Sequence, residues 1–313
     1  MQFFDQAAVA QALPYPTLVD ALASGLQQAI ESPTRSHFEP NHDASTVLIM
    51  PAWKAQQMMG VKLVSIWPGN SAKGLSAVSG VYVLISCDDG RPLAVLDGTE
   101  LTQRRTAAAA ALAARILARK NSHTLAILGT GSLSAPLALA HTSVMHFQKV
   151  LVWGRSLQKA QLVVDSLAAM GVVAHACDDL QGTLASADVV AAATTASAPF
   201  IPADWIMPGT HLGLLGAFTP SMAEAEPALM ARAALFADSR EAISQKGGEV
   251  LQAMQQGLIQ PSDIQAELAQ LAAQPTRAWR ACEDAITVFK SVGFASLDLI
   301  AAEQVFAQPA ATA

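Results

Sequence analysis

The fold of this chain is constrained most by one segment, in which a buried strand ends in a glycine turn and a helix follows. Residues 125–128 are all apolar, and Gly129-Thr-Gly131 and an alanine-rich stretch typical of a helix follow them. The first glycine permits a tight turn, and the second lets the backbone approach a pyrophosphate placed at the helix N-terminus. The third small position is Ser134, where glycine or alanine is usual. Because a lone glycine pattern is weak evidence, the neighbouring sequence has to support it.

The next strand-like run supplies that support. Residues 150–153 are apolar and lead into Gly154-Arg155-Ser156, about one βα unit after the glycine turn. An acidic residue in this region binds the 2′-hydroxyl of an adenosine ribose, whereas an arginine accommodates a 2′-phosphate. Arg155 and Ser156 therefore indicate NADPH as the cofactor, with NADH as a weaker substitute. The alternative is an ordinary βαβ turn with a solvated arginine.

Composition narrows the class of protein. Apolar residues make up 52% of the 313 residues and charged residues 14%, which favours a compact globular protein over a disordered chain. The net charge of −6 gives no basic footprint for nucleic acid. The charge-poor run 205–223 is interrupted by prolines and glycines, so no membrane segment is predicted. Residues 1–5 lack the pattern of a secretory leader, and none is expected.

The spacing of the cysteines and histidines predicts that the chain binds no metal and forms no disulfides. Cys87, Cys177 and Cys282 are far apart, which is typical of free thiols in a reducing cytoplasm. The seven histidines are scattered without ligand spacing. We therefore predict a cytoplasmic protein with no metal site.

The larger part of the chain is predicted to be an α/β domain. From residue 124 onward, strand-like and helix-like segments alternate, which is typical of a Rossmann, doubly wound parallel sheet. The predicted strands are 125–128, 150–153, 188–194, 211–215, 234–237 and 285–289. Ser262–Gln265 is predicted to form a capping box at the start of a helix. This dinucleotide-binding domain is placed at 121–293.

Residues 1–120 and 294–313 are predicted to form a second, α+β domain. Its expected helices are 14–31 and a longer one at 102–120, which is rich in alanine, leucine and arginine. Its expected strands are 46–50, 60–66 and 81–86, and Asp89-Gly90 indicates a hairpin turn after the last of them. The segment after residue 293 is predicted to be a helix that packs back on this domain, and the residues after 308 are expected to fray.

Three separated cations are candidates for binding an anion in this second domain. Arg35 lies in a Ser-Pro-Thr-Arg loop, Lys62 lies within an apolar strand, and Arg105 lies near the start of the long helix. Because an unpaired lysine is costly to bury, Lys62 faces either solvent or an anion. Together the three would hold a substrate carboxylate, with bidentate pairing from the arginines. Taken singly, each is more commonly a solvated surface charge.

As a set, these motifs make the chain resemble the ornithine cyclodeaminase/mu-crystallin family over nearly its whole length. The resemblance rests on Gly60-Val-Lys62, Asp97-Gly-Thr-Glu-Leu-Thr102 with Arg105-Thr-Ala-Ala, Gly129-Thr-Gly131, Ala187-Asp-Val-Val190 with Thr194-Thr195, Asp238-Ser-Arg-Glu241 and Lys290-Ser-Val-Gly293. It implies a homodimer with a substrate-binding/dimerisation domain and a Rossmann domain. It implies a carboxylate clamp at Arg35, Lys62 and Arg105. The implied cofactor contacts are Arg105, Thr106, Gly129, Thr130, Gly131, Ser132, Arg155, Ser156, Thr194, Val292 and Gly293.

One loop departs from the members of the family that deaminate ornithine. Those members carry an aspartate after the fourth Rossmann strand, where it handles the substrate's amines. Here the loop reads Leu215-Gly-Ala-Phe-Thr-Pro-Ser221 and places Phe218 at that position. An apolar ring cannot act as an acid or base, so ornithine cyclodeaminase activity is not expected. Arg155 likewise matches the NADPH-using reductases of the family.

The predicted function is therefore NADPH-dependent reduction of a cyclic imine carboxylate. The clamp and an apolar wall from Phe218 and Trp53 suit Δ1-pyrroline-2-carboxylate or Δ1-piperideine-2-carboxylate, which would give L-proline or L-pipecolate. Holding the reacting carbon in place can alone remove several kcal/mol of barrier. The ring nitrogen must be protonated, and Lys62 or a water held near it is the candidate donor.

Two other functions stay open at this level. An amino-acid dehydrogenase that forms alanine from pyruvate and ammonia would need a smaller pocket and a route for ammonia. An NADPH-dependent binder of a hydrophobic ligand, of the mu-crystallin type, would not need turnover at all, and the retained clamp favours turnover.

Overall fold

The computed structural model describes residues 1–41 and 45–308, so the fraying expected after residue 308 lies outside the described residues. The chain divides into two units, Met1–Thr106 with Phe294–Ala313, and Ala107–Gly293. The boundary falls within a helix, whereas the sequence places the limit of the predicted α+β domain at residue 120.

The described residues form the following elements. The strands are β1 (Gln2–Phe4), β2 (Ser36–Phe38), β3 (Thr46–Lys54), β4 (Met58–Ile66), β5 (Val78–Ser86), β6 (Pro92–Asp97), β7 (Thr124–Leu128), β8 (Lys149–Trp153), β9 (His175–Cys177), β10 (Val189–Ala192), β11 (His211–Leu214), β12 (Ala234–Ala237), β13 (Ile264–Glu267) and β14 (Thr287–Lys290). The α-helices are α1 (Gln6–Ala12), α2 (Tyr15–Gly25), α3 (Gly98–Leu117), α4 (Ser134–Val144), α5 (Leu157–Ala169), α6 (Leu180–Ser186), α7 (Pro227–Arg232), α8 (Arg240–Lys246), α9 (Gly248–Gln255), α10 (Leu268–Ala273) and α11 (Ala295–Phe306). Short 3-10 helices lie at Pro68–Lys73, Ala203–Trp205 and Pro261–Asp263.

A six-stranded sheet forms the core of the first unit, in the order β1-β6-β5-β4-β3-β2. Neighbouring strands are antiparallel except β1 and β6, which are parallel. One face of the sheet is buried and carries Met50, Tyr82, Leu84 and Leu96. The C-terminal helix α11 packs on α2, β3 and β4. The hairpin predicted at Asp89-Gly90 joins β5 to β6, and Gly90 takes a positive φ of 74° there.

An eight-stranded parallel sheet forms the core of the second unit, in the order β13-β12-β14-β11-β10-β7-β8-β9. The central strands β10, β11 and β14 are buried along their whole length, which is typical of a sheet with helices on both faces. The predicted α/β class with a doubly wound parallel sheet is confirmed. Because all eight strands run the same way, the loops at their carboxyl ends lie along one edge of the sheet, where such folds bind ligands.

The predicted capping box at Ser262–Gln265 is wrong. Pro261–Asp263 form a 3-10 turn, in which the Asp263 carboxylate accepts from the Gln260 backbone N–H at 2.7 Å. The residues after it are alternately buried and exposed, so the segment Ile264–Glu267 pairs with β12 as a strand instead of starting a helix. The helix begins only at Leu268, behind a capping box formed by Glu267 and Gln270.

The two helices predicted in the α+β domain also begin or end at other residues than expected. The helix predicted at 14–31 ends at Gly25, where the Leu26 backbone N–H bonds back to the Leu22 carbonyl. The long helix begins at Gly98, four residues earlier than predicted, and ends at Leu117. Its early start follows from Asp97, whose carboxylate accepts from the Glu100 backbone N–H at 2.7 Å and so caps the first turn.

Neither a membrane helix nor a metal cluster is found in the described part of the chain. In residues 1–41 and 45–308, no helix is long and apolar enough to cross a bilayer. Over the same residues, no three His, Cys, Asp or Glu side chains are grouped to hold a metal ion.

Candidate active site

A buried carboxylate in the first unit holds two of the three predicted clamp residues. The Lys62 Nζ lies 2.8 Å from both carboxylate oxygens of Asp298, and the Arg105 Nε donates to Oδ1 of the same group at 2.7 Å. The side chains are 1%, 0% and 6% exposed for Lys62, Asp298 and Arg105. Burial of isolated charges is very costly, so this arrangement is stable only because the opposite charges are in contact.

Thr102 fixes the lysine from a second side. The Lys62 Nζ donates to Thr102 Oγ1 at 3.2 Å, and that hydroxyl donates to the Gly98 carbonyl at 2.6 Å. Since the hydroxyl proton is committed to the carbonyl, an oxygen lone pair is left to face the ammonium. Asp298 and Thr102 together account for two of the three N–H donors of Lys62.

The surroundings lower the pKa of Lys62 into the neutral range. Burial lowers the pKa of Lys62 to about 7; the charge of Arg105 acts in the same direction, and the charge and hydrogen bond of Asp298 oppose it. The charge of Arg35, which is half-buried, also lowers this pKa, so the structure places Arg35 within electrostatic reach of Lys62. Burial would raise the pKa of Asp298, but the charges of Arg105 and Lys62 and their hydrogen bonds hold it below its usual value.

Trp53 does not join this cluster. Lys62 pairs with Met50 across β3 and β4, so these two side chains share the buried face of the sheet. Trp53 is three residues after Met50 on the same strand and therefore points to the opposite face. The structure thus brings Lys62 and Arg105 together with Arg35 nearby, and it separates the predicted wall residue Trp53 from Lys62.

The glycine turn of the second unit fits a dinucleotide. Gly129 has a φ of +124°, and a Cβ there would lie 3.0 Å from the Ala193 carbonyl oxygen. A Cβ on Gly131 would meet nothing within 4 Å, so the backbone is open to a ligand at the start of α4. The third small residue, Ser134, donates its hydroxyl to the Gly129 carbonyl at 2.9 Å and so stabilises the turn. These are the features that a pyrophosphate cradle requires.

A depression of about 470 Å³ opens beside this turn. It is lined by Thr130, Gly131, Ser132, Ala135, Lys159, Leu162, Val163 and Ser166. The residues from α5 are spaced along one face of that helix, so the depression lies between the glycine turn and α5. Lys159 adds a cation that the sequence interpretation did not include.

The predicted 2′-phosphate residues follow β8 in the same unit. Arg155 is exposed, and Ser156 caps α5 by accepting from the Lys159 backbone N–H at 3.4 Å. Trp153 precedes them and is fixed by stacking on Phe200, with 5.4 Å between ring centroids. The turn that carries Arg155 is therefore anchored on the strand side and on the helix side.

Two buried carboxylates shape the other loops at this edge. Asp238 accepts from the backbone N–H groups of Val292 and Gly293 at 2.9 and 2.7 Å, and from the Ser291 hydroxyl at 2.7 Å. Burial raises its pKa in spite of these hydrogen bonds. Asp238 thus holds the loop of Val292 and Gly293, which the family resemblance predicts to contact the cofactor.

The second of these carboxylates, Glu224, joins the ends of β10 and β11. Its two oxygens accept from the backbone N–H groups of Thr194 and Gly216, each at 2.6 Å. Burial raises the pKa of Glu224. Phe218 lies in the loop after Gly216 and is 39% exposed. No acidic residue occurs between Leu215 and Ser221, so this loop offers no acid or base.

Sequence reasoning did not assign a site role to Asp298, Glu224 or Asp238. A signal did exist for Asp298, because it is an isolated acid in the apolar run of α11 and an isolated buried acid requires a cation. For Asp238, the signal was its position at the carboxyl end of a buried strand. Glu224 gave no comparable signal, since it lies in a loop with a second glutamate nearby.

Comparison with known proteins identifies the family. The model of the ornithine cyclodeaminase/mu-crystallin family matches residues 5–312. The chain is 37% identical over 289 residues to the Δ1-pyrroline-2-carboxylate reductase of Paracoccus denitrificans (strain Pd 1222), and the match covers 89% of this chain and 91% of that protein.

Solved structures agree with this assignment. The structure of Thermococcus litoralis Δ1-pyrroline-2-carboxylate reductase in complex with NADH and L-proline superposes with a TM-score of 0.93 at 27% identity, covering 98% of this chain and 96% of that one. An archaeal alanine dehydrogenase dimer with bound NAD gives a TM-score of 0.90 at 27% identity, with coverage of 98% and 95%. The chain therefore belongs to the ornithine cyclodeaminase/mu-crystallin family.

Proposed function

We propose that this protein reduces the C=N bond of a cyclic imine carboxylate with NADPH. Its substrate would be Δ1-pyrroline-2-carboxylate or Δ1-piperideine-2-carboxylate, and its product L-proline or L-pipecolate. The observation that carries the proposal is the buried pair of cations, Lys62 and Arg105, held by Asp298. The reductases of P. denitrificans and T. litoralis, which are named for the first of these substrates, support an oxidoreductase acting on C=N.

The clamp binds the substrate through its carboxylate. Arg105 uses its Nε for Asp298, so its Nη groups would donate to the substrate, and Arg35 would add a second guanidinium. Opposite-charge pairs of this kind, in a buried site, both bind and orient the substrate.

Bound reduced nicotinamide supplies the hydride. The residues of the second unit that would bind it are the glycine turn Gly129–Ser132, Arg155, Ser156, Thr194, Val292 and Gly293.

Lys62 is the proposed proton donor to the ring nitrogen. Its pKa of about 7 lets it hold a proton at neutral pH and also release it, which is what a general acid requires. Phe218 would present an apolar surface to the ring of the substrate. A charged side-chain amine would be costly to desolvate against that ring, so an uncharged imine ring is favoured over ornithine.

The direct test is an assay of the purified protein with NADPH and a panel of imine and oxo acids, followed through nicotinamide absorbance. We expect reduction of Δ1-pyrroline-2-carboxylate or Δ1-piperideine-2-carboxylate, and no ammonia from L-ornithine with oxidised cofactor. Phe218→Asp should lower kcat/KM for the imine about tenfold or more, in the range that single pocket contacts supply. Phe218→Leu, which keeps an apolar wall, is the matched control and should change it much less.

Two outcomes of that panel would redirect the assignment. The similarity to an alanine dehydrogenase makes reductive amination of pyruvate with ammonia the second candidate function, so both belong in the panel. Turnover of pyruvate and ammonia without imine reduction would favour that enzyme. Tight NADPH binding without turnover of any panel member would favour a ligand-binding role. Ornithine deamination at a rate comparable with imine reduction would contradict the role given to Phe218.

The proposed preference for NADPH depends on Arg155. Arg155→Asp should lower kcat/KM with NADPH about 100-fold and leave kcat/KM with NADH nearly unchanged, because only the 2′-phosphate loses its charge-assisted partner. The control is Lys149→Asp, a charge reversal of an exposed residue at the opposite end of β8. The T. litoralis structure holds NADH, so the preference has to be measured directly. Wild-type kcat/KM with NADH equal to or above that with NADPH would refute it.

A homodimer is proposed from the outer face of the six-stranded sheet. Across neighbouring strands, Phe3, Val95, Val83, Val61 and Pro51 are paired in one row, so their side chains share that face. The adjacent row includes Val81 and Leu63, and several of these residues are well exposed: 73% for Phe3, 44% for Leu63 and 41% for Val81. An apolar face of this extent is typical of an interaction surface. Sedimentation of a monomer at micromolar concentration would contradict the dimer.

A further inference from the structure

Asp298 contacts both cations of the proposed clamp and lies on a helix far from them in sequence. We infer that Asp298 is a positioning residue of the active site, which aligns Lys62 and Arg105 for an incoming carboxylate; this inference rests on the proposed function. Asp298 is fully buried at the apolar start of α11, and its carboxylate lies within 2.8 Å of both cationic groups.

The geometry at Arg105 defines what Asp298 does there. A guanidinium is planar and rigid, so a hydrogen bond from Nε to Asp298 fixes the direction in which the Nη groups point. With Nε engaged by the protein, the Nη groups are the ones suited to bidentate pairing with a ligand carboxylate. Asp298 therefore sets the plane of the guanidinium and not only its charge.

Lys62 is fixed by the same carboxylate. An ammonium on a flexible stem has no preferred direction of its own, so its orientation has to come from its partners. Asp298 and Thr102 receive two of its N–H groups, which directs the third. Along the chain, Lys62 is 236 residues from Asp298 and Arg105 is 193 residues from it. The packing of α11 is therefore what brings the three groups together.

Charge excludes direct contact between Asp298 and the substrate carboxylate. The two carboxylates would repel each other, so Asp298 favours binding of that carboxylate through the cations that it holds. With Lys62 protonated, two cations and one anion leave a net charge of +1 in the cluster, and Arg35 adds to the positive field at Lys62. The cluster thus attracts an anion, although each cation already has a buried partner.

The test compares Asp298→Asn with Glu303→Gln. Asn keeps the shape of the side chain but removes its charge and replaces one oxygen with an NH2 group. With Nδ2 at the position of Oδ2, two donors would face each other at Lys62, so the clamp loses its alignment. We expect kcat/KM for imine reduction to fall at least about 30-fold, with a rise in KM. The alkaline limb of the pH profile should move to lower pH, because the charge of Asp298 raises the pKa of Lys62. NADPH affinity, measured by fluorescence titration, should change far less than KM for the imine, because Arg105 is only one of the proposed cofactor contacts.

Glu303→Gln is the matched control because Glu303 is on the same helix and forms an ion pair with Lys54. This variant should lower Tm while KM and the pH profile keep their wild-type values. If Asp298→Asn lowers Tm in the same way but keeps the wild-type KM and pH profile, Asp298 is structural and the inference is wrong.

A second variant covers the case in which Asp298→Asn does not fold. Asp298→Glu keeps the charge and displaces it by about one bond length, ~1.5 Å. If Asp298 is a positioning residue, the KM of Asp298→Glu should be about tenfold higher, and the alkaline limb of its pH profile should stay near the wild-type pH. A wild-type KM would overturn the positioning role. Calorimetric binding of pyrrole-2-carboxylate, a planar carboxylate that cannot be turned over, separates this inference from the proposed function. If wild type reduces no imine but binds that anion, and Asp298→Asn weakens binding at least tenfold, the positioning role stands without the proposed reaction; equal binding by both overturns it.

Discussion

Arg105→Ala is expected to lower kcat/KM for imine reduction by at least about 100-fold. The loss of a buried, charge-assisted pair with the substrate carboxylate costs about 2–5 kcal/mol. KM should carry much of the effect, because the carboxylate is bound in the ground state and the transition state alike. Some loss of kcat is expected as well, since the ring is then oriented less well. Steady-state kinetics with NADPH and either imine measure both terms.

Arg104→Ala is the matched control for this substitution. Arg104 is the next residue on α3, yet its Nε pairs with Glu100 at 2.7 Å, its Nη1 donates to the Leu13 carbonyl at 2.9 Å, and its guanidinium lies over the ring of Tyr15. Loss of the Arg104 side chain should lower Tm and change kcat/KM less than about threefold. The substitution removes contacts that stabilise the fold and leaves the clamp intact. An Arg105→Ala enzyme that keeps most of its kcat/KM would mean that the substrate carboxylate is bound elsewhere.

The parallel sheet was predictable from the sequence because its strands carry strong local signals. The apolar runs at Leu125–Leu128 and Val150–Trp153 are each followed by glycine and then by helix-forming residues, so strand, turn and helix can be read within a few residues. Short or edge strands lack such signals. The segment Ile264–Glu267 alternates over only four residues and contains polar side chains, and its pairing with β12 depends on tertiary structure.

The sequence drew attention to the cations of the candidate site and not to its anions. Lys62 attracted attention because a lysine inside an apolar strand needs a partner, but the sequence could not name that partner. Asp298 is close to it only because α11 packs on β3 and β4. Glu224 and Asp238 likewise bond mainly to backbone N–H groups of other loops, so the sequence did not show which groups they hold.

The prediction for Trp53 shows a further limit of motif reasoning. Trp53 is predicted, with Phe218, to form an apolar wall, but the strand period of two decides which face of the sheet each side chain takes. Met50 pairs with Lys62 because of the register of β3 against β4. The sequence of a hairpin of this length does not reveal that register.

Lys62→Met is expected to reduce kcat for imine reduction by about 10²–10⁴, the usual contribution of a general acid. The methionine keeps an unbranched side chain of similar length, and Asp298 keeps Arg105 as a partner, so the fold should survive. KM should also rise because the clamp loses one cation. Lys54→Met is the matched control, since Lys54 is another buried lysine on the same sheet and pairs with Glu303. It should lower Tm and leave kcat unchanged.

The pH profile distinguishes proton donation by Lys62 from binding alone. Lys62 must be protonated to donate, and its pKa is about 7, so kcat/KM for reduction should be highest below pH 7 and fall as pH rises above it. In the reverse direction the neutral amine is required, so oxidation of L-proline should increase through the same range. The limb near pH 7 should be absent from Lys62→Met and present in Lys54→Met. If Lys62→Met raises KM but keeps the wild-type kcat, Lys62 only binds the carboxylate, and the proton must come from another group or from water.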